Sequence, residues 1–155
     1  MMKLNVLLFA ALCSAPLLAA QNPVDYFPTS DVKQLAQKLT AQSKKEGGFA
    51  GETLTRYGNH LTMLAHRERT GSSELHEKVN DIFVIVDGDC TLLTGGKLVS
   101  PKTTAANEIR GTGIQGGTSR KMGVGDIVHI SAGVPHQVVL APGHHITYFV
   151  VKVDQ

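Results

Sequence analysis

Cysteine is scarce in this 155-residue chain: Cys13 and Cys90 are the only two. Cys13 falls inside an N-terminal segment that reads as a leader. Met1-Met2-Lys3 is a short basic start, Leu4 to Leu18 is apolar apart from Asn5, Ser14 and Pro16, and Leu18-Ala19-Ala20 puts small residues before Gln21. That is the layout of a secretory signal peptide over residues 1–20, too short for a membrane span and followed by polar sequence. Once it is cleaved, Cys90 has no partner within the chain. An internal disulfide is then excluded, and the domain must hold together without one even in an oxidising compartment. Cys90 falls in a strand pattern and reads as a small buried apolar residue.

Charge of one sign is lacking too. There are 15 Lys and Arg against 13 Asp and Glu, and Lys3 belongs to the leader, so the remainder is close to neutral. No long basic run exists, which removes the case for binding nucleic acid or an anionic membrane surface. Internal repeats, low-complexity tracts and domain boundaries are also missing, leaving one domain with a real core.

The helical signal is confined to one place. Val32, Leu35, Ala36 and Leu39 recur at helical spacing behind Ser30, a good N-cap, and predict an amphipathic helix over Asp31 to Gln42, closed by "SKKEGG". From there the chain is rich in β-branched residues, and it has 16 glycines in all. "HLTMLAHRE" alternates, placing His60, Thr62, Leu64 and His66 on one face. "DIFVIVDG", "CTLLTGG", "GDIVHIS", "HQVVLAPG" and "HHITYFVVKV" are short strands closed by Gly, Pro or Asp turns. The stretch from Thr94 to Gly125 reads as a long irregular connection with one short strand at Asn107 to Arg110. An all-β sandwich or barrel follows, with residues 21–50 as a helical extension and 51–155 as the β domain.

"SELHEKVNDIFVIVDGDC", Ser73 to Cys90, leads ionisable side chains straight into a core strand. If Ser73 to His76 is extended, Glu74 and His76 share one side and Glu77 points to solvent. Asp81 then opens the next strand. Far downstream, "GDIVHISAGVPHQ" places His136 after a second turn. Two histidines and one or two carboxylates converge if the two hairpins lie side by side.

These segments resemble the paired motifs of the cupin superfamily. Glu74-Leu75-His76 occupies the place of the family's His-x-His pair, Asp81 that of its glutamate, and Gly88 follows. Gly125, "DIVHI", Ser131-Ala132-Gly133, "VP" and His136 match the second motif, with Ser131 in place of proline. The resemblance covers about Arg56 to Val153. It implies a single cupin-type β-barrel (double-stranded β-helix, jelly roll) with one N-terminal helix. It also implies a metal held by Glu74, His76, Asp81 and His136, and pairing of two chains as a homodimer. Glu74 replaces an imidazole, and Asp81 is one methylene shorter than the family's glutamate. Two imidazoles with one carboxylate suit Fe(II), and also Mn, Ni, Co or Zn; either Glu74 or Asp81 could supply that carboxylate.

The expected protein is a secreted or periplasmic cupin that binds a divalent metal ion and a small oxygen-bearing molecule. A dioxygenase, decarboxylase or isomerase would each fit, and the fold does not choose among them. The alternative is a metal-free cupin serving as a ligand-binding or structural module. Among the other polar residues, His129 has the parity to face the pocket but reads first as a core or surface histidine, and His144-His145 read as a solvated turn; Arg67 and Arg69, just before the ligand hairpin, are placed to receive an anionic substrate, with surface arginines as the default. His60 and His66 share a strand face that could line the cavity or a dimer surface, with a satisfied core or surface histidine as the default reading. "RGTGIQGGTS" lacks the strand-to-helix setting of a phosphate loop.

Overall fold

The computed structural model describes residues 24–155. The leader read over residues 1–20 and Cys13 lie outside the described residues.

Helix α1 spans Thr29–Lys45. Pro28, not Ser30, stands at its N-cap: Pro28 is extended (φ −63°, ψ 153°) and its carbonyl receives the N–H groups of Asp31 and Val32. A proline in that place has a fixed φ and no N–H to leave unpaired. Ser30 therefore sits in the first turn, and its hydroxyl bonds Asp31. The C-terminus closes in a Schellman turn, with Gly47 at φ +78° and the Gly48 N–H on the Ser43 carbonyl at 2.8 Å. The apolar stripe Val32, Leu35, Ala36 and Leu39 packs on the outer face of a sheet against Ala50, Leu64, Val86 and Phe149.

Twelve strands follow: β1 (Phe49–Arg56), β2 (His60–Arg67), β3 (Ser73–His76), β4 (Val79–Thr94), β5 (Lys97–Val99), β6 (Lys102–Ala105), β7 (Glu108–Gly111), β8 (Gly113–Gln115), β9 (Thr118–Gly123), β10 (Ile127–Ile130), β11 (His136–Val139) and β12 (Ile146–Asp154). One antiparallel layer runs β1-β2-β12-β4-β10, the other β6-β7-β3-β11-β4-β9. β4 belongs to both, so the two read strands "DIFVIVDG" and "CTLLTGG" are one continuous element. It turns from one layer to the other at Gly88, at φ +74°; a Cβ there would stand 2.1 Å from the His145 carbonyl oxygen. Between the layers lie Phe83, Ile85, Leu92, Met122, Ile130, Val138, Ile146, Tyr148 and Val150. Cys90 is buried among them, and burial pushes its thiol up to about 11. The molecule is an all-β barrel with one helix on its outside.

One expectation needs correction, and one open choice is resolved. The stretch from Thr94 to Gly125 is not one irregular connection, because β5 to β9 occupy most of it. These strands are short and mostly wet: β6 is exposed throughout, and in β9 only Met122 is buried. Without an inward apolar residue at every second position, the strand period is invisible in sequence. The second concerns β2. Its face carrying Leu64 and His66 lies under α1, while Met63, Ala65 and Arg67 point into the barrel. His66 is 1% exposed, with Nδ1 2.9 Å from the Thr147 hydroxyl, and His60 stacks on Tyr57. His66 thus lines neither the barrel cavity nor an outer surface.

Burial holds the His66 imidazole below its usual pKa, against the pull of Glu68. The folded state resists a proton that the unfolded chain accepts near pH 6.5, so this contribution is complete above that pH and is lost as pH falls below it. From pH 7 to pH 5.5 His66 should contribute a drop in stability, read from the urea midpoint, of no more than about 1.4 kcal/mol per pH unit, with His136 acting in the same direction and His76 against it. His66→Gln should flatten that drop; an identical pH profile in the variant would contradict the assignment.

Candidate functional site

β3 and β11 are neighbours in the second layer, and His136 stands directly opposite Glu74 in their register. Period-two alternation turns Glu74 and His76 to one side, and Asp81 enters from the first layer near the start of β4. The turn between β10 and β11 is clamped onto this wall. Gly133, at φ +76°, gives its N–H to the His76 carbonyl at 2.7 Å, and Asn80 Oδ1 accepts the Ala132 N–H at 2.9 Å. Glu74, His76 and His136 each bring one donor atom within 4.8 Å of the others. Asp81 Oδ2 lies 3.2 Å from His76 Nε2 and 3.5 Å from His136 Nε2. The four residues singled out in the sequence therefore come together, with Glu74 and His136 lining the barrel cavity and Asp81 within 3.5 Å of both imidazoles.

Each imidazole is oriented by its other nitrogen. His136 Nδ1 donates to the Val134 carbonyl at 3.2 Å, which leaves Nε2 as a lone pair aimed at Asp81. Burial keeps this ring below its ordinary pKa and hence neutral. His76 Nδ1 is hydrogen-bonded to the Glu108 carboxylate. Burial opposes charge on His76, but Asp81 and Glu108 outweigh it and raise the ring to about 9. Burial likewise works against charge on Asp81 and Glu108. For Asp81, His76 and Lys152 overcome it; for Glu108, His76 and Arg110 do, and both carboxyls stay below their usual range.

Three further charged residues complete the centre. Glu74 Oε1 accepts from Arg110 Nη1 at 2.9 Å and Arg67 Nη2 at 3.2 Å, and Arg110 also pairs with Glu108 Oε1 at 2.7 Å. Arg67 Nε donates to the Tyr148 hydroxyl at 3.0 Å. Lys152 Nζ stands 2.7 Å from Asp81 Oδ1 and 3.0 Å from His76 Nε2. Arg67, read from sequence as a surface residue, is buried, whereas Arg69 is exposed. The signal for Arg67 was its parity with Met63 and Ala65 on β2. Glu108 and Lys152 were missed altogether. Glu108 and Arg110 alternate on the one strand foreseen in the Gly-rich stretch, and Lys152 follows Tyr148 and Val150 at strand spacing.

The cavity has a volume of about 440 Å³ and mixes these polar groups with Met63, Phe83, Val138 and Val150. A larger cleft of about 660 Å³ lies between α1 and the sheet, but it is largely apolar, with an exposed Lys38–Glu52 ion pair at its edge. The clustered charged residues and His136 line the smaller cavity. His129 is exposed, and His144 and His145 pair with Asp89 and Asp87 on a solvated turn.

No family model and no curated protein sequence matches this chain. Solved structures do match. The cupin domain of Cnp3 from Schizosaccharomyces pombe superposes with a TM-score of 0.53 at 6% identity, over 69% of this chain and 65% of that one. A conserved Klebsiella pneumoniae protein with a double-stranded β-helix domain gives 0.52 at 13% identity, over 70% and 78%. The DMSP lyase DddQ from Ruegeria pomeroyi gives 0.52 at 16%, over 77% of this chain and 54% of the lyase. The fold is a double-stranded β-helix like that of these cupin and double-stranded β-helix domains, the fold that the paired motifs implied.

Glu74 is the common counter-charge of two guanidinium groups, one of them buried. Glu74→Ala should lower folding stability by roughly 1–3 kcal/mol, discounted because Arg110 is partly screened by water. Denaturant titration checks this, and an unchanged midpoint would show that the pairs contribute nothing net.

Proposed function

We propose that this chain is an exported cupin that holds one divalent metal ion through His76, His136 and a carboxylate, and takes a small anionic, oxygen-bearing molecule in the barrel. The observation that carries this reading is Asp81 Oδ2. It is buried with no hydrogen-bond partner among the described residues, yet it faces two imidazole nitrogens. Burying an unpartnered carboxylate oxygen is costly, and a cation shared with the two rings would satisfy it. The donor chemistry fits once a metal displaces the His76 proton: two imidazoles and a carboxylate suit Fe, Mn, Ni, Co or Zn. Asp81 is favoured over Glu74 as the carboxylate ligand, because Glu74 Oε1 is already engaged by Arg67 and Arg110. A bound ion would supply Lewis acidity, or an oxygen-binding centre if it is redox-active.

The chain's own residues define what enters. Arg67, Arg110 and Lys152 line the cavity and place positive charge beside it, which favours a carboxylate or similar anion. Tyr148 accepts from Arg67 and is kept neutral by burial, so its hydroxyl proton remains free to donate to a ligand oxygen. Glu74 Oε2, the carboxylate oxygen not held by arginine, is the best-placed proton acceptor. A DMSP lyase built on the same fold supports a small organic substrate without fixing the reaction. The leader at residues 1–20 supports export.

A second reading is favoured by one contact. Lys152 already stands on Asp81 and His76, and a permanent ammonium there would make the barrel a metal-free ligand-binding module. Metal analysis of the purified mature protein separates the two. Stoichiometric metal is expected in the wild type and should be lost in both His76→Ala and His136→Ala. Glu108→Gln should keep the site but weaken metal binding by roughly 10–100-fold, since the carboxylate orients His76. Absence of metal from the wild type under every loading condition would favour the second reading.

A further inference from the structure

Lys152 has a place in the barrel that an ordinary ion-pair partner does not need. On β12, Tyr148 and Val150 point inward and are 4% and 2% exposed, and the same parity brings Lys152 to the wall opposite Asp81 in the strand register. An ammonium has three donors and no acceptor. Its 2.7 Å contact therefore goes to Asp81 Oδ1, and Nζ also stands 3.0 Å from His76 Nε2, where it obstructs the approach of a metal to that nitrogen. Those are an imidazole nitrogen and a carboxylate of the proposed metal centre. Asp81 is 1% exposed, and in the metal-free centre its charge is balanced by Lys152 on Oδ1 and by His76 beside Oδ2.

We propose that Lys152 is the resident cation of the metal-free centre, and that metal loading exchanges its ammonium for a divalent ion. The identity of residue 152 then sets how tightly the centre holds metal. This inference rests on the metal-binding reading of the same site. It also gives the displaced ammonium a second use. Lys152 lines the cavity beside Arg67 and Arg110, so release from Asp81 leaves its charge available to an anionic ligand only after the metal is in place.

The test uses the mature chain and Co²⁺ as the probe, followed by its visible absorption and by calorimetric titration. Lys152→Met keeps the length and apolar stem of the side chain but removes the charge. Relative to wild type, it should bind Co²⁺ tighter by about tenfold or more, the factor expected when one charge-assisted hydrogen bond no longer competes. Metal-free Lys152→Met should also melt lower than metal-free wild type and recover when Co²⁺ is added. In the wild-type chain, Co²⁺ should accelerate acylation of Lys152, read by mass spectrometry against the exposed Lys97; this arm decides the matter if the variant does not fold. Tight binding by the variant alone supports the exchange. Equal or weaker binding by the variant, with the wild type still loading, overturns the exchange and leaves the metal reading intact. An unchanged acylation rate in a wild type that loads Co²⁺ does the same. No Co²⁺ uptake by either protein overturns both.

Discussion

The interior of this barrel is organised by the need to balance charge away from water. Asp81, Glu74 and Glu108 all turn inward, and none is more than partly exposed. Each is answered from a different strand: Lys152 on β12 faces Asp81, Arg67 on β2 and Arg110 on β7 share Glu74, and His76 on β3 bonds Glu108. Isolated charges would be too costly to bury, and these pairs persist because their geometry satisfies most of the polar atoms involved. Among these carboxylates, Asp81 Oδ2 and Glu108 Oε1 lack a hydrogen bond, and Asp81 Oδ2 is the one that lies between the two imidazoles. The lack of balance is local, and it falls where a ligand would be useful.

Strand pairing determines which side chains meet. His136 and Glu74 face each other because β11 and β3 are adjacent, and a slip of one residue would turn either side chain to the opposite face. The same rule sorts β2 into two populations. Leu64 and His66 serve the helix, while Met63, Ala65 and Arg67 serve the cavity. The helix therefore seals one outer face of the barrel and contributes no side chain to the charged centre.

Much of this was legible in the sequence, for physical reasons that differ by residue. The helix was visible because its stripe has a 3.6-residue period and a glycine stop. The long core strands were visible because they are apolar and β-branched. Glu74, His76, Asp81 and His136 were visible because motif spacing fixes their parity on two hairpins. The short wet strands β5 to β9 were not, since only an apolar face leaves a period-two trace. With them went Glu108, which no local pattern distinguishes from a surface glutamate. Arg67 and Lys152 were obscured in another way. A cation at the end of an inward-facing row looks like the point where a strand emerges into solvent, unless an acid on a neighbouring strand is known to await it.

The continuity of β4 through both layers has a bearing on how the molecule assembles. This strand pairs with β12 and β10 over its first half and with β9 and β11 over its second. Neither wall can be completed before the other, so the chain has no autonomous subunit to nucleate first, and its search must close long loops early. Slow folding is the consequence of such non-local pairing, since the buried charges of the interior meet only when strands far apart in the chain have come together.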